Sequence, residues 1–246
     1  MRAIVTPVER AERKPRGGVP RALAQLGRRW YPAGLWEGPP SRRWVTLTID
    51  DGPDPEITPR LLQALRAAGA TATFFVEGRR AAAEETLLRR IHAEGHEVGN
   101  HTWSHLPLGY GTCASPRREL TRTEALLSRV CPGSPRLFRP PFGAVGLGAR
   151  AALAAEGLTP VYWSVVPGDW NPLTPEELRR RVLSEVHPGA VIVLHGGQAA
   201  HSGTAEALPA LIEELRADGY EIVPAARMLA ECGFRVERRS ERLTDA

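Results

Sequence analysis

Trp44-Val45-Thr46-Leu47-Thr48-Ile49-Asp50-Asp51-Gly52-Pro53 is an apolar, β-branched run that ends on two carboxylates and a turn signal. Such a run suits a buried strand, and Asp-Gly-Pro stops it. Further along the chain stands His101-Thr102-Trp103-Ser104-His105, two histidines four residues apart. One aspartate with that pair makes a three-ligand set for a divalent metal, and the other aspartate is left as a base. The combination points to metal-assisted hydrolysis. Asp50-Asp51-Gly52-Pro53 on its own is equally a good turn, so the pairing carries the reading.

Outward from this strand, short apolar runs alternate with amphipathic helices. Trp44–Ile49, Thr71–Val76, His96–Asn100, Arg136–Phe138, Pro160–Val165, Ala190–Leu194 and Tyr220–Val223 are the expected strands. Thr58-Pro59, Ser115-Pro116 and Thr174-Pro175 each set a capping hydroxyl before a first-turn proline, and Thr174-Pro175-Glu176-Glu177 fits a capping box. Gly69, Gly95, Gly157 and Gly219 stand where helices should stop. Strand-helix repetition predicts a parallel sheet, open or closed into a barrel. Asp50 and Asp51 then follow the first strand, His101 the third, Arg139 the fourth and Asp169 the fifth, while His195 closes the sixth. In a parallel barrel those carboxyl ends share one face, where residues distant in sequence meet.

The ordered motifs resemble those of polysaccharide deacetylases of the NodB-homology, carbohydrate esterase family 4 type. Thr48-Ile49-Asp50-Asp51-Gly52-Pro53 is similar to the family's first motif and His101-Thr102-Trp103-Ser104-His105 to its second. Arg139-Pro140-Pro141-Phe142-Gly143 resembles the third, Asp169-Trp170 the end of the fourth, and Val193-Leu194-His195 the fifth. The likeness spans about residues 44 to 232. Ile49, Val166, Val193 and Gly196 depart from the usual residues, and none of the four is a ligand, base or acid.

The resemblance implies an α/β fold, a deformed (β/α) barrel of about seven parallel strands. It implies a divalent metal, zinc first with cobalt or another first-row ion possible, held by Asp51, His101 and His105 and supplying Lewis acidity to an acetamide carbonyl. Asp50 becomes the general base, paired with Arg139. His195 becomes the general acid that protonates the leaving amine, with Asp169 as its carboxylate partner. The backbone N–H of Phe142 serves the developing oxyanion, so its side chain need only pack. Pro141, Trp170 and Trp103 are expected to wall the sugar site. His92, His96, His187 and His201 are left outside it.

The implied activity is hydrolysis of the N-acetyl amide of N-acetylglucosamine-type sugars, in chitooligosaccharide, peptidoglycan or lipid-linked form. Two other readings fit the same scaffold: a hydrolase of a non-carbohydrate amide or an O-acetyl ester, and a non-catalytic sugar-binding protein. With 246 residues, 42% of them hydrophobic, the chain can bury one substantial core. The expected division is a basic extension over 1–43, a catalytic domain over 44–232 and a tail over 233–246. Residues 1–43 hold ten basic and three acidic side chains, an excess of +7, while the whole chain is at +4 and the remainder therefore at −3. That arm is expected to be solvated or to touch an anionic membrane surface. No nucleic-acid partner is expected, and the protein is expected to be a monomer. Neither a signal peptide nor a membrane span is legible, which predicts a cytoplasmic location. Cys113, Cys131 and Cys232 offer neither a disulfide framework nor a thiolate zinc site and are expected to be buried small apolar residues.

Overall fold

A computed structural model of the protein describes residues 34–108, 115–197 and 202–240. The basic arm up to residue 33, with its expected membrane contact, lies outside them, as do Cys113, His201 and the last six residues. Strand β1 (Trp44–Asp50) is followed by α1 (Ile57–Ala67), β2 (Thr73–Val76), α2 (Gly78–Ala83), α3 (Glu85–Ala93), β3 (Glu97–Asn100), α4 (Pro116–Val130) and β4 (Leu137–Phe138). A 3₁₀ turn at Pro141–Gly143 leads to α5 (Leu147–Ala155), β5 (Thr159–Pro160), α6 (Pro175–Glu185), β6 (Ala190–His195), α7 (Ser202–Ala217), β7 (Glu221–Ile222) and α8 (Ala225–Glu231). All strand pairs are parallel. The order is β5-β4-β3-β2-β1-β6, with β7 also on β1.

The sheet curls until its ends meet. Beyond β5 the chain reaches β6, where Val165 bridges Ile192. This is the curled parallel sheet of the deformed barrel that the sequence led us to expect. Among the described residues, no helix is long and apolar enough to cross a membrane.

All seven residues of β1 are buried, because both of its faces are covered. Val45, Leu47 and Ile49 join the layer under the helices with Leu61, Leu62, Leu208 and Leu211. Trp44 faces the barrel interior with Phe75, Leu137, Val191 and Met228, and α8 contributes to that cluster from the amino-terminal end. Alternation along a strand puts Thr46, Thr48 and Asp50 on the inner face with Trp44. Thr46 Oγ1 donates to Val223 O at 2.9 Å and Thr48 Oγ1 to Ile192 O at 2.7 Å, so the inner hydroxyls are satisfied. Ile49, one of the departures, thus sits in the helix layer, behind the carboxylates.

The fifth strand is much shorter than Pro160–Val165. Val161 O and Tyr162 O do not continue the ladder, because Arg139 takes them through Nε at 3.0 Å and Nη2 at 2.7 Å. The first cap also differs. Thr58 lies inside α1 and accepts from the Asp54 amide, while Asp54 Oδ1 accepts from the amides of Glu56 and Ile57, both at 3.0 Å. Asp54 therefore does what Thr58 was expected to do. Ser115 and Thr174 do cap their helices, the latter in a full capping box, and Gly69 and Gly219 close α1 and α7 with φ of 54° and 79°.

Packing reaches past both expected ends of the domain. Leu35 and Trp36 are buried, and Leu35 pairs with Val161. Behind α8, Arg239 is buried with its guanidinium on Glu124 at 2.7 and 3.0 Å and on the carbonyls of Val98 and Pro135. Cys131 is buried, and burial pushes its thiol up to about 12. Cys232 is exposed, which corrects the expectation that it is interior.

Glu97 lies at the amino-terminal end of the sheet, where burial raises its carboxyl above the usual range despite hydrogen bonds from Thr73 Oγ1 and the Ala226 amide. The folded state therefore holds this proton more tightly than the unfolded chain does. Stability is fully present below the ordinary carboxyl value, is lost as pH rises from there through the raised value, and is flat above it. Glu97→Gln, which keeps an acceptor without the charge, is expected to raise the melting temperature at pH 8 by about 2 °C or more and to leave it unchanged at pH 4. Thermal melts at the two pH values check this. A wild type that is the more stable protein at pH 8 would contradict it.

Candidate active site at the carboxyl ends of the strands

Asp50 is the last residue of β1 and stands beside His195, the last residue of β6, in the sheet register. Neighbouring strands are about 4.8 Å apart, so the two side chains start from adjacent points on the barrel rim. Asp51 follows with φ of 76°. From there its Oδ1 lies 3.3 Å from His101 Nε2 and 3.2 Å from His105 Nε2. One ligand atom from each of the three residues falls within 4.8 Å of the other two. Nitrogen and oxygen donors bound tetrahedrally at about 2.0–2.2 Å lie about 3.3–3.6 Å apart, so the donor set fits a small divalent cation.

The histidine chemistry fits as well. His101 Nδ1 is 2.7 Å from Arg139 O, and a carbonyl there calls for the N–H on Nδ1. The Nε2 lone pair is then directed at the cluster, the usual outer-shell arrangement for a metal-ligating histidine. Burial opposes charging His101, yet the carboxylates of Asp50 and Asp51 and the Arg139 carbonyl lift its imidazole above the usual range. Asp51, whose Oδ1 faces both imidazoles, favours a metal cation in the proton's place. Of the three side chains, His105 is the most open, at 20% exposure against 3% for His101 and 11% for Asp51.

Asp50 is held from the other side. Arg139, fully buried, donates through Nη1 to Asp50 Oδ1 at 2.8 Å and to Thr48 Oγ1 at 2.6 Å, and through Nε and Nη2 to the two β5-edge carbonyls. Its guanidinium carbon lies 4.3 Å from the centroid of the Phe75 ring. The fork is therefore fixed before it meets the carboxylate. Asp50 Oδ2 is left 4.0 Å from His101 Nε2, at the edge of the cluster.

Across the rim, Asp169 Oδ1 is 2.8 Å from His195 Nδ1, while Asp169 Oδ2 accepts from the His195 amide at 2.7 Å and from Thr204 Oγ1 at 2.9 Å. The imidazole is locked by its own backbone as well as its ring nitrogen. Trp170 stands edge-on to the His195 ring with centroids 5.3 Å apart. Phe142 does the same to His105 at 5.0 Å and is 41% exposed. That exposure corrects the expectation that its side chain only packs. Its φ of 57° turns the residue outward at the 3₁₀ corner, and the ring stands beside a candidate ligand.

Pro141 is buried. Trp103 packs against the helix-layer core, with the Arg122 guanidinium 3.6 Å from its ring centroid. His96 is also buried, at the far end of β3, accepting from the Ala72 amide.

Among the described residues, the non-glycine residues with positive φ are Asp51, Thr102, His105 and Phe142, all of them at this rim. Left-handed backbone costs a non-glycine residue about 1 kcal/mol or more, and it persists where surrounding structure over-determines it. Concentrating that cost in one place makes the rim the candidate functional site. Thr48, Asn100, Glu119 and Thr204 also support the rim and were not singled out from sequence. Thr48 was findable, as a polar residue two before Asp50 on the same strand face. For Glu119 and Thr204 no local signal exists. At Gly196 a Cβ would come within 2.7 Å of Leu61 Cδ1 and 3.0 Å of Ile49 Cγ2, so two of the departures are packed together.

Residues 37–161 match the polysaccharide deacetylase family. The chain is 34% identical over 197 residues to a peptidoglycan-N-acetylglucosamine deacetylase of Bacillus cereus, covering 80% of this chain and 72% of that one. It is 36% identical over 198 residues to a chitooligosaccharide deacetylase of Bradyrhizobium, covering 76% and 90%. Among solved structures, the Bc1960 peptidoglycan N-acetylglucosamine deacetylase superposes with a TM-score of 0.75 at 33% identity, over 79% of this chain and 91% of that one.

Proposed function

From the premise that this chain belongs to the polysaccharide deacetylase family and is a hydrolase of N-acetyl amides, we propose that it removes acetate from N-acetylglucosamine units of a peptidoglycan or chitin-type oligosaccharide. The catalytic unit is proposed to run from about Leu35 to Arg239, wider at both ends than 44–232. A location on the cytoplasmic side of a membrane, with the basic arm toward anionic headgroups, belongs to the same reading and rests on the charge of residues 1–43.

Asp51, His101 and His105 are assigned to a divalent cation, with zinc as the first choice because two imidazoles and one carboxylate with open positions suit it. Bound there, the cation supplies Lewis acidity at the amide carbonyl. Asp50, aimed by Arg139, takes the proton of the attacking water as oxygen bonds to the acetyl carbon. The Phe142 N–H donates to the oxygen on which charge develops. His195, held by Asp169, gives its proton to the sugar nitrogen as the C–N bond breaks, so that acetate and a free amine leave. Trp170, edge-on to His195, and the exposed Phe142 ring, edge-on to His105, are assigned to the apolar faces of the sugar, while Pro141 is too buried to reach it. Trp103 stays at the rim through its loop.

The observation that supports this reading most is the register pairing of Asp50 with His195, each tied to its own buried partner, next to the Asp51–His101–His105 cluster. The test is acetate release from metal-supplemented full chain offered N-acetylglucosamine oligomers, peptidoglycan and an O-acetylated glycan. Release from the first two is expected, with loss on chelation and recovery with zinc or cobalt. Release from the O-acetylated glycan alone, or no release with any metal, would overturn it.

A further inference from the structure

His101 and His105 are four apart, the spacing that aligns two side chains on a helix, but no helix joins them. The run turns instead through left-handed residues, Thr102 with φ of 67° and His105 with φ of 57°. Something outside the run must hold that shape. Asn100 Oδ1 accepts from the Thr102 amide at 2.9 Å. The amides of Gly78 and Arg79 donate to Thr102 O and Trp103 O at 2.8 and 2.9 Å. The donors at the centre of the run converge on one atom: Glu119 Oε2, in the first turn of α4, accepts from Trp103 N at 3.0 Å, Ser104 N at 2.8 Å and Ser104 Oγ at 2.9 Å. Three donors converging on one oxygen tie the run to α4 at a single point, so the reach of that oxygen fixes where the run sits.

We infer that Glu119 is a positioning residue that sets the separation of the His101 and His105 imidazoles, and through it the affinity of the site for a divalent cation. Glu119 is not one of the clustered ligand residues. It acts through the backbone between two of them. The inference rests on the assignment of Asp51, His101 and His105 as the ligand set.

Two variants separate reach from charge. Glu119→Asp keeps the charge and withdraws the oxygen from the loop, and Glu119→Gln keeps the reach and loses the charge. Zinc affinity of the metal-stripped full chain is measured by competition with a chromophoric chelator. Glu119→Asp is expected to bind at least about tenfold more weakly than wild type, the usual cost of losing an outer-shell partner. Glu119→Gln is expected to stay within about threefold, since an amide oxygen still accepts, though without charge assistance. Unchanged affinity in both variants overturns the inference, and so does equal weakening in both. The reverse order does too, because the site would then be responding to the charge of residue 119. Asp51→Asn in the same assay keeps the two claims apart: if it binds zinc as wild type does, the ligand assignment is what has failed.

Discussion

Asp50→Asn is expected to lower the rate of acetate release by about 10²–10⁴-fold while leaving zinc affinity close to that of wild type. The amide preserves the shape of the side chain and can still accept from Arg139 Nη1, which now stands 2.8 Å from Oδ1. It cannot take a proton from water. Asp51, whose Oδ1 is the atom near both imidazoles, is untouched, so metal binding is expected to persist. Asp51→Asn should give the opposite division, with affinity and activity lost together. Separable jobs are thus proposed for the two adjacent carboxylates, and parallel measurements of turnover and zinc affinity read them apart.

Arg139→Met is expected to be the most destabilising single change at the rim. It removes a guanidinium that touches Thr48, Asp50, Val161 O and Tyr162 O inside a fully buried space. Breaking a buried charge pair by deleting one member costs about 3–5 kcal/mol, because the remaining charge stays buried without compensation. In a chain of this size that corresponds to a melting temperature lower by roughly 6–20 °C. The double variant Asp50→Asn/Arg139→Met should recover part of the loss, since an amide tolerates burial better than a carboxylate. Equal destabilisation in the single and double variants would show that the two carbonyls and Phe75, rather than Asp50, are what Arg139 serves. Melts of metal-free protein keep ligand binding out of the comparison.

The same arginine shows where sequence reading runs out. Its place after the fourth strand was legible, and so was the fifth strand as an apolar run. That a buried guanidinium would take that strand's carbonyls was not, because the donors come from residue 139 and the acceptors from residues 161 and 162. The strand ends carrying Asp50, His101 and His195 were legible from period and turn chemistry, which are local. Thr58 failed as a cap because Asp54, four residues earlier, starts the helix sooner by accepting from the amides of Glu56 and Ile57, which leaves Thr58 inside it. Phe142 was read from its backbone, and only the positive φ reveals that its ring projects. Glu119 and Thr204 reach the site from helices whose distance from it is set by tertiary packing, so no spacing in the chain announces them.

The most direct test of the division of labour is anomalous diffraction at the zinc edge from a crystal of the zinc-loaded chain. The account predicts one strong peak within about 2.0–2.2 Å of Asp51 Oδ1, His101 Nε2 and His105 Nε2, with Asp50 still on Arg139 and outside the coordination shell. A peak elsewhere on the molecule, or an ion bound through Asp50 with Asp51 turned away, would contradict it.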